Sequence, residues 1–346
     1  MAFVSLALAL ASGLSAIVVI AFLWFLDVFE RESWKNLALA IVIGSGSYAL
    51  VLSLFASLVD SLFPAKAEIS PATAFWALSI STALLILGEI AAICAFYRLK
   101  KRSFETMTDY VLYSCSIGAG FDCAERITTQ LLNSFGLQPL SNQVYFSSFG
   151  FGNYYPFLFA LYGSALFLWI NSSRVQSICP RKTALSLTAV GIGTQIAFSL
   201  ATLLPNISFR DSYSILNGIS EAVFAVTLNI SYLSIAGLIG ICVLMDSYII
   251  ERFTENLESR QEFSRFRDWF HFLRHPWYQL CSSHAILWRY SGVSNDVKLP
   301  RSLLNKYSRI ALRSWLAPGQ EEQLVNSAHS LLLDAAGSSP DPSVVV

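Results

Sequence analysis

The stretch Asp109-Tyr-Val-Leu-Tyr113-Ser-Cys-Ser-Ile-Gly118-Ala-Gly120-Phe121-Asp122-Cys-Ala-Glu125-Arg126 decides how this chain is read. Its small and apolar residues suit a helix surrounded by other helices or by hydrocarbon, yet it carries three acids and an arginine. The same anomaly occurs upstream in Leu87-Gly88-Glu89-Ile-Ala-Ala92. An ionisable group inside an apolar span costs several kcal/mol and by default marks a functional position facing the bundle interior. The four histidines, His271, His275, His284 and His329, all lie far downstream of these acids.

Composition places the stretch in a membrane setting. Of 346 residues 54% are apolar and 13% charged, the formal net charge is zero and the mean hydropathy is +0.53. That profile is expected of a polytopic helical membrane protein. A neutral balance without a basic stripe argues against nucleic acid as a partner. The six cysteines are scattered without the close pairs of a zinc site, and are read as inert thiols. The first apolar run lacks a basic start and is too long for a signal peptide, so it is read as a retained helix.

Runs long enough to cross hydrocarbon fall at about 3–26, 37–63, 72–97, 109–132, 154–170, 183–204 and 217–245, giving an all-α bundle of about seven transmembrane helices. The fifth is short, begins near Pro156, and is expected to be tilted or partly re-entrant. Alternate connections carry Arg31 and Lys35, then Arg98, Lys100, Lys101 and Arg102, then Arg174, Arg181 and Lys182. The intervening connections carry Lys66 and Arg210 alone. Since Lys and Arg collect on the cytoplasmic side, nine against two places the N-terminus outside and the C-terminal tail in the cytoplasm.

Three regions result: a transmembrane bundle over 1–246, a helical tail over 247–337 and a disordered end over 338–346. In the tail, 251–275 alternates charge with aromatic residues, as in an amphipathic helix at the membrane surface or packed on loops. A second helical stretch spans about 301–336. His271 and His275 have the i, i+4 spacing of helical metal ligands. With aromatic neighbours and no acid between them, they are read as surface residues.

Three segments in order resemble the PrsW family of intramembrane proteases. The loop Asp27-Val-Phe29-Glu30-Arg-Glu32-Ser33 is similar to the family's Asp-x-Tyr-Asp/Glu-x-Glu-Pro, with Phe29 for the tyrosine and Ser33 for the proline. Glu89 matches the second acid of Glu-Glu-x-x-Lys. Asp109, Tyr113, Gly120, Phe121 and Glu125 fall in register with Asp-Gly-x-x-Tyr-Gly running to Gly-Phe-x-x-x-Glu-Asn. The resemblance covers roughly residues 20–200 and implies Glu89 and Glu125 as catalytic candidates, supported by Asp27, Phe29, Glu32, Asp109, Tyr113, Gly120, Phe121, Asp122 and Arg126. It also implies a prokaryotic cytoplasmic membrane as the location.

The departures fall on the working residues. Gly88 replaces the first acid of the pair, Ala92 the lysine and Arg126 the asparagine. The family's two later histidines fall near Tyr155 and near Thr194 or Gln195. Peptide hydrolysis needs a base for water and a donor or metal for the oxyanion, and histidine is missing from both positions. No metal or other cofactor is expected, unless the chain is a protease. Two carboxylates sharing a proton remain a workable dyad. However, straight helices put Glu89 ~12 Å and Glu125 ~24 Å from the same membrane face.

Each charge also has a structural explanation. Asp122 and Arg126 are i and i+4 in the order that favours an intrahelical pair. For Glu89, an interhelical hydrogen bond of the protonated form is enough.

Three functions follow. The favoured one is a degenerate protease homologue that binds membrane partners through its cavity and tail. The first alternative is an active endopeptidase that cleaves a membrane-anchored regulator with Glu89 and Glu125. The second is a proton-coupled transporter, against which no inverted repeat is visible. The sequence leaves open whether the chain is an enzyme. Its expected partners are the lipid bilayer and a membrane-protein substrate or partner helix.

Overall fold

The computed structural model describes residues 21, 33–62, 71–104, 106–134, 155–172, 181–207, 238, 241–242, 245–267, 269–270, 301–316 and 319–337. Those residues form helices and short turns, with no strand among them. They divide into two compact units. One holds residues 21, 33–104, 109–134, 155–172, 181–207 and 238; the other holds 106–108 and the described residues from 241 onward.

In the first unit, α1 spans Trp34–Leu62, α2 Pro71–Leu99, α4 Tyr155–Ile170 and α5 Arg181–Ile207, and α3, Met107–Ser134, belongs to it from Asp109. These elements match five of the seven expected spans to within a few residues. The expected spans at 3–26 and 217–245 lie outside the described residues, apart from residues 21, 238, 241–242 and 245. The segments Trp34–Leu58 and Ser79–Leu99 are long and apolar enough to cross a membrane. The start of α1 is set by Ser33, whose Oγ accepts the Asn36 N–H at 3.3 Å and caps the first turn.

The expected fifth span is a regular helix, and its 16 residues reach ~24 Å. Thirteen of them are buried on every side, as in a helix at the centre of a bundle. Pro156 lies in the first turn, where its missing N–H costs nothing. Between α2 and α3 the chain turns through a short 3₁₀ segment, Lys101–Ser103.

Glycines set how closely the helices approach. A Cβ on Gly44 would strike the Ile117 carbonyl oxygen, and one on Gly120 the Ile41 carbonyl oxygen. Backbone thus meets backbone between α1 and α3, as in small-residue crossings of membrane helices. The contacts Asn36–Tyr113, Gly44–Ile117 and Tyr48–Phe121 advance together along both helices, so α1 and α3 run parallel. Across α3 and α4 the pairs Gly118–Tyr155, Ser114–Gly163 and Tyr110–Phe167 advance in opposite directions, so those helices are antiparallel. Where α2 ends and α3 begins, Phe96, Phe104, Tyr110 and Tyr113 pack in edge and tilted pairs, with centroids 4.6–5.7 Å apart.

The second unit has its own core. Its helix α6 covers 245–258, followed by a 3₁₀ turn, Gln261–Phe266, and then by α7, Arg301–Leu316, and α8, Glu321–Gly337. Two expectations are corrected here. The single helix read over 251–275 ends at 258, and its aromatic residues Phe253, Phe263, Phe266, Trp269 and Phe270 are buried with Leu303, Tyr307 and Leu332. They close a core of the tail itself in place of an amphipathic face. The helix expected over 301–336 is a hairpin of two, broken at Gly319, whose φ of +99° suits glycine. Within this unit Thr108 Oγ1 donates to Asp246 Oδ2 at 2.7 Å.

Candidate functional site

Glu89 is completely buried on α2, and α5 answers it. Gln195 Nε2 donates to Glu89 Oε1 at 2.9 Å, and the Tyr162 hydroxyl of α4 donates to Gln195 Oε1 at 3.4 Å. A buried polar chain of phenol, amide and carboxyl therefore ties three helices together. Such a chain is strong in a low-dielectric interior when its members are satisfied. Glu89 Oε2 is buried and has no hydrogen-bond partner among the described residues.

Local sequence explains the placement. Gly88 lets Val51 of α1 pack against α2, because a Cβ there would meet the valine methyl. Gly191, one turn before Gln195 on α5, leaves room for the Tyr162 ring, which a Cβ would approach to 2.7 Å. The two positions expected near the family's second histidine are thus separated. Gln195 faces the acid, whereas the Thr194 hydroxyl donates to its own helix at Val190 O.

The α3 acids are placed differently. Arg126 Nε lies 3.1 Å from both carboxylate oxygens of Asp122, forming the i, i+4 ion pair expected from their spacing. Glu125 is buried one turn beyond Phe121 on the same face. Phe121 packs against Tyr48 of α1 and against Tyr155 and Phe159 of α4, with centroids 5.1–5.5 Å apart. Tyr155, at the other expected histidine position, therefore lies beside Phe121 of α3, and Gln195 lies beside Glu89.

Asp109 and Tyr113 are buried, and the Tyr113 hydroxyl accepts the Asn36 side-chain N–H at 3.3 Å. Ser45 Oγ donates to the Gly120 carbonyl at 2.9 Å across the α1–α3 crossing. Asp27, Phe29 and Glu32 lie outside the described residues. Among the described residues, no three of His, Cys, Asp and Glu come together in a way that could hold a metal ion.

Sequence reasoning missed Tyr162. The available signal was a tyrosine hydroxyl next to Gly163 in a largely apolar helix, since a buried phenol needs a polar partner.

No family model matches the chain, and neither do curated proteins or solved structures.

Proposed function

We propose that the chain is a multi-pass helical membrane protein with a PrsW-like pattern, in which the inherited acid site holds the bundle together and the protein acts by binding a membrane partner. One observation carries this reading: Glu89 Oε1 is held by the Gln195 amide at 2.9 Å. An amide neither accepts a proton at neutral pH nor ligates a metal as imidazole does, so the partner at this position supplies a hydrogen bond and no base. The Asp122–Arg126 pair supports the same reading, because it neutralises a second acid within one helix.

The test is co-expression in membranes with single-span reporter proteins carrying tags at both ends. Intact reporter is expected with the wild type, with Glu89→Gln and with Glu125→Gln, and retention of reporter by the purified protein is expected to be equal for all three. Reporter cleavage by the wild type that disappears in both variants overturns the reading.

The second reading is the intramembrane endopeptidase. What favours it is Glu89 Oε2, buried and without a hydrogen-bond partner among the described residues, the kind of atom that activates water.

A further inference from the structure

A groove of about 160 Å³ opens between α2, α4 and α5. Its walls are apolar, formed by Ile93 and Cys94 of α2, Tyr162, Leu166 and Trp169 of α4, and Ala184 of α5. Trp169 is 50% exposed, so the groove is not sealed from its surroundings. All three helices end or begin beside it: α2 stops at Leu99, α4 at Ile170, and α5 starts at Arg181.

Basic residues concentrate at those same ends. Arg98 lies one turn beyond Cys94 on α2, and Lys100 and Lys101 follow in the turn after the helix. On α5, Arg181 and Lys182 are the first two residues. Arg98, Lys101 and Lys182 are exposed, and among the described residues none of them forms an ion pair. By the distribution of Lys and Arg, this end faces the cytoplasm. An apolar groove with a cationic mouth at the cytoplasmic surface is complementary to one kind of molecule, an amphiphile with an acyl chain and an anionic head. Basic pockets between helices on that side are suited to anionic lipid head groups.

We propose that the groove binds an anionic phospholipid of the cytoplasmic leaflet, with one acyl chain lying against Cys94, Tyr162 and Trp169 and the phosphate held by Arg98, Lys101 and Lys182. The site does not depend on whether Glu89 is catalytic or structural. Affinity comes from apolar contact along the walls, and preference for an anionic head from the cations at the mouth. Zwitterionic lipids are expected to fill the same walls with less hold on the head group.

The test is native mass spectrometry of the full-length protein taken from nanodiscs of phosphatidylcholine containing phosphatidylglycerol as a minor component. Retained lipid is expected to be enriched in phosphatidylglycerol over the nanodisc ratio. Neutralising Arg98, Lys101 and Lys182 together with glutamine is expected to remove that enrichment, at about fivefold per cation. These side chains are exposed, so the variant keeps the fold. Leu166→Trp is expected to lower retention of both lipids by filling the walls. Retention at the nanodisc ratio by the wild type, or unchanged enrichment in the triple glutamine variant, overturns the proposal. A disulfide-linked dimer formed by a variant whose sole cysteine is Cys94 overturns it too, because a second copy then occupies the groove.

Discussion

At the scale of single residues, the Gln195 amide carries most weight in the site, because it donates to one oxygen of a completely buried carboxyl. Gln195→Ala leaves Glu89 without its donor and is expected to cost about 1–3 kcal/mol, the range for an orphaned buried acceptor. Glu89→Gln keeps an acceptor opposite the Gln195 Nε2 and is expected to stay within about 1 kcal/mol of the wild type. Thermal unfolding of the two variants in the same detergent separates the outcomes; equal losses would sink the claim that the bond to Gln195 holds Glu89. Arg126→Gln leaves Asp122 buried without its cation. The expected cost is about 2 kcal/mol, below the ~3–5 kcal/mol of a fully buried pair, because Arg126 is 24% exposed. Asp122→Asn on the same background is expected to restore part of that loss.

In the tail, burial raises the Tyr307 phenol above its ordinary value, and the hydrogen bond with Thr254 at 3.0 Å offsets part of the rise. The folded form therefore resists ionisation longer than the unfolded one. Its contribution is complete below about pH 10, the unfolded value, and falls as pH rises beyond it. Tyr307→Phe is expected to flatten that alkaline decline in denaturant midpoint.

At the scale of elements, helix–helix distance rests on glycine. Gly44→Ala and Gly120→Ala force two backbones apart and are each expected to cost about 1–3 kcal/mol. Gly46, on α1, has open space where a Cβ would go. Gly46→Ala is expected to be neutral or stabilising by up to about 1 kcal/mol. If all three unfold alike in detergent, the close α1–α3 approach is wrong.

The ends of α1 to α5 were legible to within a few residues because long apolar runs bounded by charges leave little choice. The Asp122–Arg126 pair was legible as well, being a matter of local spacing. The Glu89–Gln195 bond joins residues 106 apart, and no periodicity encodes which helices become neighbours. Helical spacing also concealed the break in the tail, because α7 and α8 each continue the same apolar rhythm. The signal against a single helix was Pro318-Gly319, a combination that ends helices and marks turns. The aromatic run after residue 250 was misread for another reason: alternation of charge with rings fits a membrane surface and a small core equally well.

At the scale of the whole molecule, the first unit carries the acids and the groove, and the second encloses its own aromatic core. The seven spans and outside N-terminus expected from the sequence would require a cytoplasmic C-terminus. A green fluorescent protein fused after Val346 is therefore expected to fluoresce, and alkaline phosphatase at the same point to stay inactive. The reverse pattern would remove both the orientation and the cytoplasmic placement of the lipid groove. The parallel crossing of α1 and α3 has a further consequence for biogenesis. Parallel neighbours cannot meet as a simple hairpin, so α1 must wait for its partner while α2 is made and returns the chain. The interlocked glycines then close around a helix bearing three acids, and until that moment Glu125 has no finished surroundings. A ribosome stalled before α3 emerges would leave α1 with its glycine face open, because the backbone that fills it has not yet been made.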